Sequence, residues 1–193
     1  GESLAVGDVD GDGKYDVIVI GEKPFGTEWV SILRNTSTVG SVSFDTNIDY
    51  SVPNWPKGVS LIDLDSDSKP EIVVARYFTN KISVLPNTSS SGSVSFGSRI
   101  DYTNGPANNT GRPWKTCGAD LNGDGKPEIL VANAGSWSQP GTIISVLENT
   151  SSASGISFES YFGVSTGNGP HGIAAVDIDG DNHIDILTAN YKD

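Results

Sequence analysis

Short hydrophobic runs alternate with polar turns along the whole chain, and no long stretch keeps helical periodicity. In the first repeat, apolar residues occupy 3–6 and 16–20, on either side of an acidic loop. A third run at 29–33 is followed by Asn-Thr-Ser and a Ser/Gly-rich turn, and a fourth run lies at 41–44. Runs this short, rich in aliphatic and β-branched residues, predict strands, and the pair beside the loop is expected to be buried on both faces.

The same order of runs returns with a period of 55–57 residues, counted from the first aspartate of each acidic loop. Repeats of this length, with four short strands each, are typical of propeller blades. We therefore predict an all-β chain, a single partial β-propeller of about three and a half blades of four antiparallel strands. Their limits lie near 1–50, 51–107, 108–165 and a half-blade at 166–193. Later third strands are predicted at 81–85 and 143–147, fourth strands at 93–96 and 155–158, and the last pair at 172–176 and 185–188.

The sequence starts in the approach to the first acidic loop and stops after the second strand of the fourth repeat. Closed propellers have about four to eight blades. We expect either a segment of a longer chain whose other blades complete the ring, or a unit that pairs with a second copy to form a homodimer. Exposed strand edges and blade faces would favour such pairing.

The acidic loops have the chemistry of a cation site. Each loop has oxygen side chains at positions 1, 3 and 5, a turn-forming residue at position 6 and an acid at position 9. Alternate side chains of a short loop point inward, so these oxygens can surround one hard cation such as Ca²⁺. The spacing differs from that of the EF-hand, whose bidentate acid comes at position 12. The alternative is four solvated turns without metal.

Charge and composition narrow the class of protein. Fifteen of the 24 acids lie in these four loops, so they account for most of the net charge of −12, and bound cations would offset their repulsion. No basic stripe suits nucleic acid, and no apolar run is long enough to span a membrane. The single cysteine cannot form an internal disulfide. We expect an extracellular or cell-surface module in which calcium has the stabilising role that disulfides have in other secreted proteins.

The repeat resembles a known family. An acidic loop between two hydrophobic strands, followed by Val-Ala-Asn (131–133) and by Ser-Val-Leu-x-Asn-Thr-Ser (83–89 and 145–151), is similar to the FG-GAP repeats of integrin α-chain propellers, and most closely to their bacterial VCBS branch. The resemblance implies a β-propeller with calcium in the loop between the first and second strands of a blade. It implies adhesion, surface display or glycan binding more often than catalysis.

Carried over by position, the resemblance implies about four calcium sites, with side-chain oxygens at positions 1, 3, 5 and 9 and the carbonyl of position 7. The second site is expected to be the weakest, because serine replaces the turn residue at position 6. The implied ligands are Asp8, Asp10, Asp12, Lys14 and Asp16; Asp63, Asp65, Asp67, Lys69 and Glu71; Asp120, Asn122, Asp124, Lys126 and Glu128; and Asp177, Asp179, Asp181, His183 and Asp185.

A partner is expected on the face opposite the calcium loops, where second strands end and new blades begin. Aromatic rings stack on sugar C–H patches while amides and cations fix hydroxyl groups, so this face suits a glycan or a protein. The alternative is that these rings cap the hydrophobic core. The candidate ligand-binding residues are Trp29, Trp55, Tyr77, Trp114, Trp137 and His171.

No arrangement of nucleophile and base is apparent, and the two histidines lie far apart in sequence. We therefore expect a binding module and not an enzyme. Two alternatives stay open: a structural spacer or display repeat without a ligand, and an accessory or catalytic propeller of a polysaccharide-degrading enzyme. A lyase would need a basic residue in a cleft, and the candidates are Lys57, Arg112, Lys115 and His171.

Overall fold

The computed structural model describes residues 3–23, 27–106, 108, 110–152 and 155–192, which form strands and turns. The predicted limits at residues 1, 107 and 193 lie outside the described residues. The strands are β1 (Ser3–Gly7), β2 (Asp16–Lys23), β3 (Thr27–Leu33), β4 (Ile48–Ser51), β5 (Pro56–Ile62), β6 (Glu71–Arg76), β7 (Lys81–Leu85), β8 (Ile100–Thr103), β9 (Pro113–Ala119), β10 (Glu128–Gly135), β11 (Pro140–Leu147), β12 (Phe162–Ser165), β13 (Pro170–Val176) and β14 (Asp185–Asn190).

These strands form four antiparallel sheets that follow one another along the chain. The sheets are β1-β2-β3-β4, β5-β6-β7-β8, β9-β10-β11-β12 and the pair β13-β14. The first strands of successive sheets pack in series, β1 on β5, β5 on β9 and β9 on β13. This is the arrangement of propeller blades around an axis, and the described blades form an arc that does not close. The predicted fold class is confirmed.

The predicted fourth strands are wrong. Residues 41–44, 93–96 and 155–158 make only isolated bridges to the Asn-Thr-Ser segments, as in Asn35 with Phe44. They form the returning half of a narrow hairpin, held by hydrogen bonds such as Thr36 N–H to the Ser43 carbonyl at 3.0 Å. The fourth strand of each complete blade is the next segment, β4, β8 or β12, which pairs with the third strand. A Ser-Val-Ser-Phe alternation suits either role, and only the pairing partner distinguishes them.

Two apolar clusters lie between blades. The first joins β2 and β3 to β5 and β6, with Ile18 and Ile20 packed near Val59 and Val74. Close approach requires glycine here: a Cβ on Gly58 would lie 2.6 Å from the Trp114 carbonyl oxygen of the next blade. We expect larger residues at this position to push β5 and β9 apart.

Burial depends on whether a blade has neighbours on both faces. β6 and β10 are buried at every position, as predicted for the strands beside each loop, but β1 and β14 are partly exposed, so the prediction is wrong for the first and last blades. Leu4 and Val176, on the outward faces of the first and last sheets, are 62% and 47% exposed, while Val59, the equivalent of Leu4 in the second blade, is 4% exposed. Pairing with a second copy through these faces stays a prediction. Among the described residues, no helix could span a bilayer.

Candidate metal loops and aromatic face

Each acidic loop, named loop 1 to loop 4 in chain order, folds around its own first aspartate. In loop 1, the Gly11 N–H donates to Asp8 Oδ1 at 2.7 Å and the Gly13 N–H donates to Oδ2 at 2.8 Å. Loops 3 and 4 repeat both bonds to Asp120 and Asp177. Aspartate favours this arrangement because its short side chain reaches nearby backbone amides. The loop conformation is therefore encoded locally.

Positions 4 and 6 of all four loops lie in the left-handed region, with φ between 63° and 86°. Glycine or asparagine occupies these positions except in loop 2, where Ser66 has φ 63° and Ser68 has φ 68°. A residue with a Cβ pays about 1 kcal/mol or more in this conformation. Loop 2 therefore has the backbone strain expected at position 6, and it has the same strain at position 4. Its rank as the weakest calcium site stays a prediction.

In loops 1–3 the acid at position 9 is buried and accepts two backbone N–H groups, whereas Asp185 of loop 4 is not buried and accepts the Ile178 N–H at 3.1 Å. In the second blade, the Leu64 N–H donates to Glu71 Oε2 at 2.8 Å and the Asn87 N–H donates to Oε1 at 3.2 Å. Asp16 and Glu128 make the equivalent pairs of contacts in their blades. This carboxylate thus ties the start of the loop to the chain that follows the third strand, whether or not it also binds a cation.

The structure brings together the acids at positions 1, 3 and 9. In three loops, one ligand atom from each of these residues lies within 4.8 Å of the others. Loop 3 has Asn122 at position 3, so its set contains an amide. The position 5 carboxylates accept hydrogen bonds from the backbone N–H groups of position 7, and Lys14 and Lys69 place Nζ 3.6 and 3.7 Å from Asp12 and Asp67. Lys126 Nζ instead donates to the Ser151 carbonyl at 2.8 Å. The three acidic clusters are Asp8, Asp10 and Asp16; Asp63, Asp65 and Glu71; and Asp177, Asp179 and Asp185.

Loop 2 has carboxylate oxygens that suit a cation. Asp63 Oδ1 and Asp65 Oδ1 are buried without a hydrogen-bond partner among the described residues. Burial raises the pKa of Glu71 to about 7, and it raises the pKa of Asp65, which the Asp67 carboxylate raises further. Clustered, buried carboxylate oxygens of this kind are the donors that Ca²⁺ prefers, and the cation would offset their repulsion. The residues present therefore fit calcium.

Loop 1 differs because a protein cation already contacts its acids. Arg34, directly after β3, donates from Nε to Asp10 Oδ2 at 2.7 Å and from Nη2 to Asp12 Oδ2 at 2.9 Å. Its Nη1 donates to Asp45 at 3.1 Å. Asp10 is 1% exposed, so the guanidinium compensates a buried charge. No local sequence motif signals this contact. A guanidinium already paired with these carboxylates is expected to weaken any binding of calcium at loop 1.

We expect Arg34→Ala to increase the calcium affinity of loop 1 by roughly tenfold, because it removes a positive charge that repels Ca²⁺ at close range. The same change should lower the melting temperature in chelator, where Asp10 loses its partner. Calorimetric titration and thermal melting measure the two effects. Arg99→Ala, which removes a guanidinium paired with Asp101 away from the loops, is the matched control. An unchanged calcium titration would contradict the expected competition.

Loop 3 has the opposite charge at the equivalent position. Glu148 occupies the place that Arg34 has in the first repeat, and Pro86 occupies it in the second. A pocket of about 140 Å³ beside loop 3 is lined in part by Asn122, Glu128 and Glu148. Glu148 therefore places a carboxylate near loop 3, where the amide of Asn122 replaces the position 3 carboxylate.

The asparagines of the second and third Asn-Thr-Ser segments, Asn87 and Asn149, hold successive blades together. The Asn149 side-chain amide donates to the Leu64 carbonyl of the preceding blade at 2.9 Å and to the Pro127 carbonyl at 3.0 Å, and its Oδ1 accepts the Ser151 N–H. Asn87 makes the same contacts to loop 1 and its own blade. The sequence shows this segment three times, and the structure shows that its asparagine can join one blade to the preceding one.

Rings from three blades form a continuous surface at the strand ends opposite the loops. We call the following seven residues the aromatic band: Trp55, Tyr77, Phe78, Trp114, Trp137, His171 and Tyr191. Neighbouring centroids are 4.1–6.1 Å apart. His171 stacks between Trp114 at 4.1 Å and Tyr191 at 4.2 Å, and burial lowers its pKa. Phe78 is 54% exposed and Trp137 is 77% exposed.

The backbone that presents Trp55 is held in an unusual conformation. Asn54 has φ 74° and Trp55 has φ 58°, both left-handed. Their amides donate to the two carboxylate oxygens of Glu28 at 2.6 and 2.8 Å, an anion held by successive N–H groups. The Trp55 carbonyl then accepts the Tyr77 N–H at 3.0 Å. Glu28 therefore positions this end of the band at the cost of backbone strain.

Cations lie along the band. Lys57 Nζ is 4.7 Å from the Trp55 ring centroid and 5.1 Å from that of Trp114. Arg112 Cζ is 5.1 Å from the Tyr77 centroid. At the far end, Lys192 Nζ is 4.6 Å from the Trp137 centroid. Cation–π contacts of this kind fix the charged groups beside the rings.

Five of the six predicted ligand-binding residues lie in the aromatic band. Trp29 instead packs across its own sheet, where a Cβ on Gly21 would lie 3.2 Å from its ring. Tyr191 and Lys192 are not among the predicted ligand-binding residues. Their grouping depends on the angle between blades, which no local motif encodes.

Repeated antiparallel blades, each with an acidic loop between its first and second strands, define a β-propeller-type repeat protein. A sequence profile described as an FG-GAP-like repeat matches residues 8–74, 63–131 and 120–188. Each match runs from one acidic loop past the next. The chain belongs to this FG-GAP-like repeat family, as the resemblance predicted.

Comparison with solved structures finds similarity to a rhamnogalacturonan lyase PL11 of Bacillus licheniformis, with a TM-score of 0.46 and 19% sequence identity. The alignment covers 96% of this chain and 43% of the lyase, so the chain spans less than half of that structure. The comparison with curated proteins finds no significant match.

Proposed function

We propose that this chain is a calcium-stabilised propeller module of an extracellular or cell-surface protein, and that it binds a carbohydrate or protein partner through the aromatic band. The supporting observation is the band itself, with seven rings and three cations at the strand ends opposite the acidic loops. Half-exposed rings beside fixed polar groups are common in recognition surfaces. The calcium loops lie about 20 Å away, at the other end of seven-residue strands, and have a structural role.

The surroundings of His171 favour binding over catalysis. Both faces of its ring are covered, by Trp114 and Tyr191, and burial lowers its pKa. A general base needs access to the proton it removes, whereas a stacked neutral ring supports its neighbours. We therefore assign His171 to the band as a packing residue.

Tryptophan fluorescence during titration with a panel of glycans tests the proposal. A ligand should shift the emission and bind Trp114→Ala at least tenfold more weakly, since Trp114 contacts both Tyr77 and His171. Trp29→Phe, on the first sheet, is the matched control and should retain binding. Calorimetric titration with calcium is done in parallel. Calcium binding with no response to any glycan or protein would leave the spacer role and reject the binding function.

A further inference from the structure

We propose that the ligand of the aromatic band is an anionic polysaccharide, a polymer of uronic acid units, bound with its carboxylates toward Lys57, Arg112 and Lys192. This inference rests on the binding function proposed above and specifies its substrate class. The observation that carries it is the separation of charge between the two ends of the blades, together with the spacing of cations along the rings.

Acids gather at one end of the blades, and several cations lie at the other end, where the Glu28 carboxylate already accepts the Asn54 and Trp55 amides. Fifteen of the 24 acids lie in loops 1–4, at one end. At the other end, Lys57, Arg112 and Lys192 lie over band rings, and exposed Lys115 lies beside Trp114 at the start of β9. A chain with net charge −12 repels polyanions in general, so a local basic surface on it restricts where a polyanion can bind.

The cations are distributed along the band. Arg112 lies over Tyr77 and Phe78 at one end, Lys57 lies between Trp55 and Trp114, and Lys192 lies over Trp137 and Tyr191 at the other end. A single uronic acid unit has one carboxylate, whereas three cations lie along the band. A polymer with a carboxylate on each unit could contact all three while its apolar sugar faces meet the exposed rings of Phe78 and Trp137.

Lys192 is also held in position before a ligand arrives. Its Nζ donates to the Trp137 carbonyl, and its backbone N–H donates to the Asn168 carbonyl at 3.2 Å. Tyr191 donates from its hydroxyl to the Ser136 carbonyl at 3.3 Å. Fixing long side chains beforehand reduces the entropy lost on binding.

A comparison of charged and neutral forms of the same sugar tests the inference. Galacturonic acid oligomers, short enough not to gel with calcium, are titrated beside their methyl esters by calorimetry in calcium buffer. We expect the acid form to bind at least tenfold more tightly than the ester, and to weaken as salt is added. Arg112→Gln and Lys192→Gln should each weaken binding of the acid form roughly threefold to tenfold. Arg99→Gln, which removes the same charge away from both the band and the loops, should have no effect.

The outcomes separate this inference from the proposed function. Equal affinity for acid and ester would overturn the anionic class while leaving glycan binding intact. Binding of poly-glutamate but of neither sugar would identify an acidic protein as the partner and overturn the polysaccharide. If the acid oligomers, their methyl esters and poly-glutamate all fail to bind, and no glycan of the panel changes the fluorescence, the binding function is rejected as well. Circular dichroism of each variant shows whether a loss of binding comes from a loss of folding.

Discussion

Glu71→Ala is expected to lower the free energy of unfolding by about 4 kcal/mol. Glu71 is 1% exposed, and its two oxygens accept the amides of Leu64 and Asn87. Its removal leaves both amides without a partner and opens a cavity in the position where loop 2 meets the chain after β7. Urea unfolding measures the loss.

Two comparisons show whether the amide contacts are responsible. Glu71→Gln keeps one accepting oxygen and should lose about half as much. Lys69→Ala, in the same loop with its side chain 39% exposed, should change stability by less than about 0.5 kcal/mol. The loss of unfolding free energy should persist when calcium is removed by chelator at low temperature, because the amide contacts need no cation. A loss that disappears in chelator would assign Glu71 to the cation alone.

Asn149→Ala is expected to cost about 3 kcal/mol, the second large effect. Asn149 is 2% exposed, and the substitution removes three hydrogen bonds and leaves the Leu64 and Pro127 carbonyls unpaired. Because one of these bonds crosses to the preceding blade, cooperativity between blades should fall along with stability. The denaturant slope and midpoint report the two quantities separately.

Asn35→Ala is the matched control for the asparagine prediction. Asn35 stands in the same Asn-Thr-Ser segment and makes the equivalent bond to the Ser37 amide, but its side-chain amide donates to the Tyr15 carbonyl in its own blade. It is half-buried, so we expect a loss of about 1 kcal/mol. Equal losses at Asn35 and Asn149 would contradict a special role for the bond between blades.

The repeat architecture was predictable because its signals are local. Strands β1, β2 and β3 follow from hydrophobic runs, and the loop between the first two follows from aspartates whose side chains bind their own backbone, as Asp8 does. The period of the loops then gives the number of blades. The family match covers the same repeats that the acidic loops delimit.

The features that were missed depend on contacts between distant residues. The fourth strand was assigned to 41–44 because that run alternates, but the next segment forms β4 and pairs with β3. The contact of Arg34 with Asp10 joins residues on either side of β2, and the stack of His171 on Trp114 joins two blades. Spacing along one chain does not specify such geometry, which depends on sheet twist and blade angle.

Thermal melting with saturating calcium and with chelator tests the central claim most directly. Four sites that bind only the folded chain, each filled at about a hundredfold excess over its dissociation constant, would add up to roughly 10 kcal/mol. For a chain of this size we therefore predict that chelation lowers the melting temperature by at least about 15 °C. Magnesium at the same concentration should restore less, since Mg²⁺ demands stricter octahedral geometry. Equal melting temperatures in calcium and chelator would contradict the claim that the four acidic loops bind calcium.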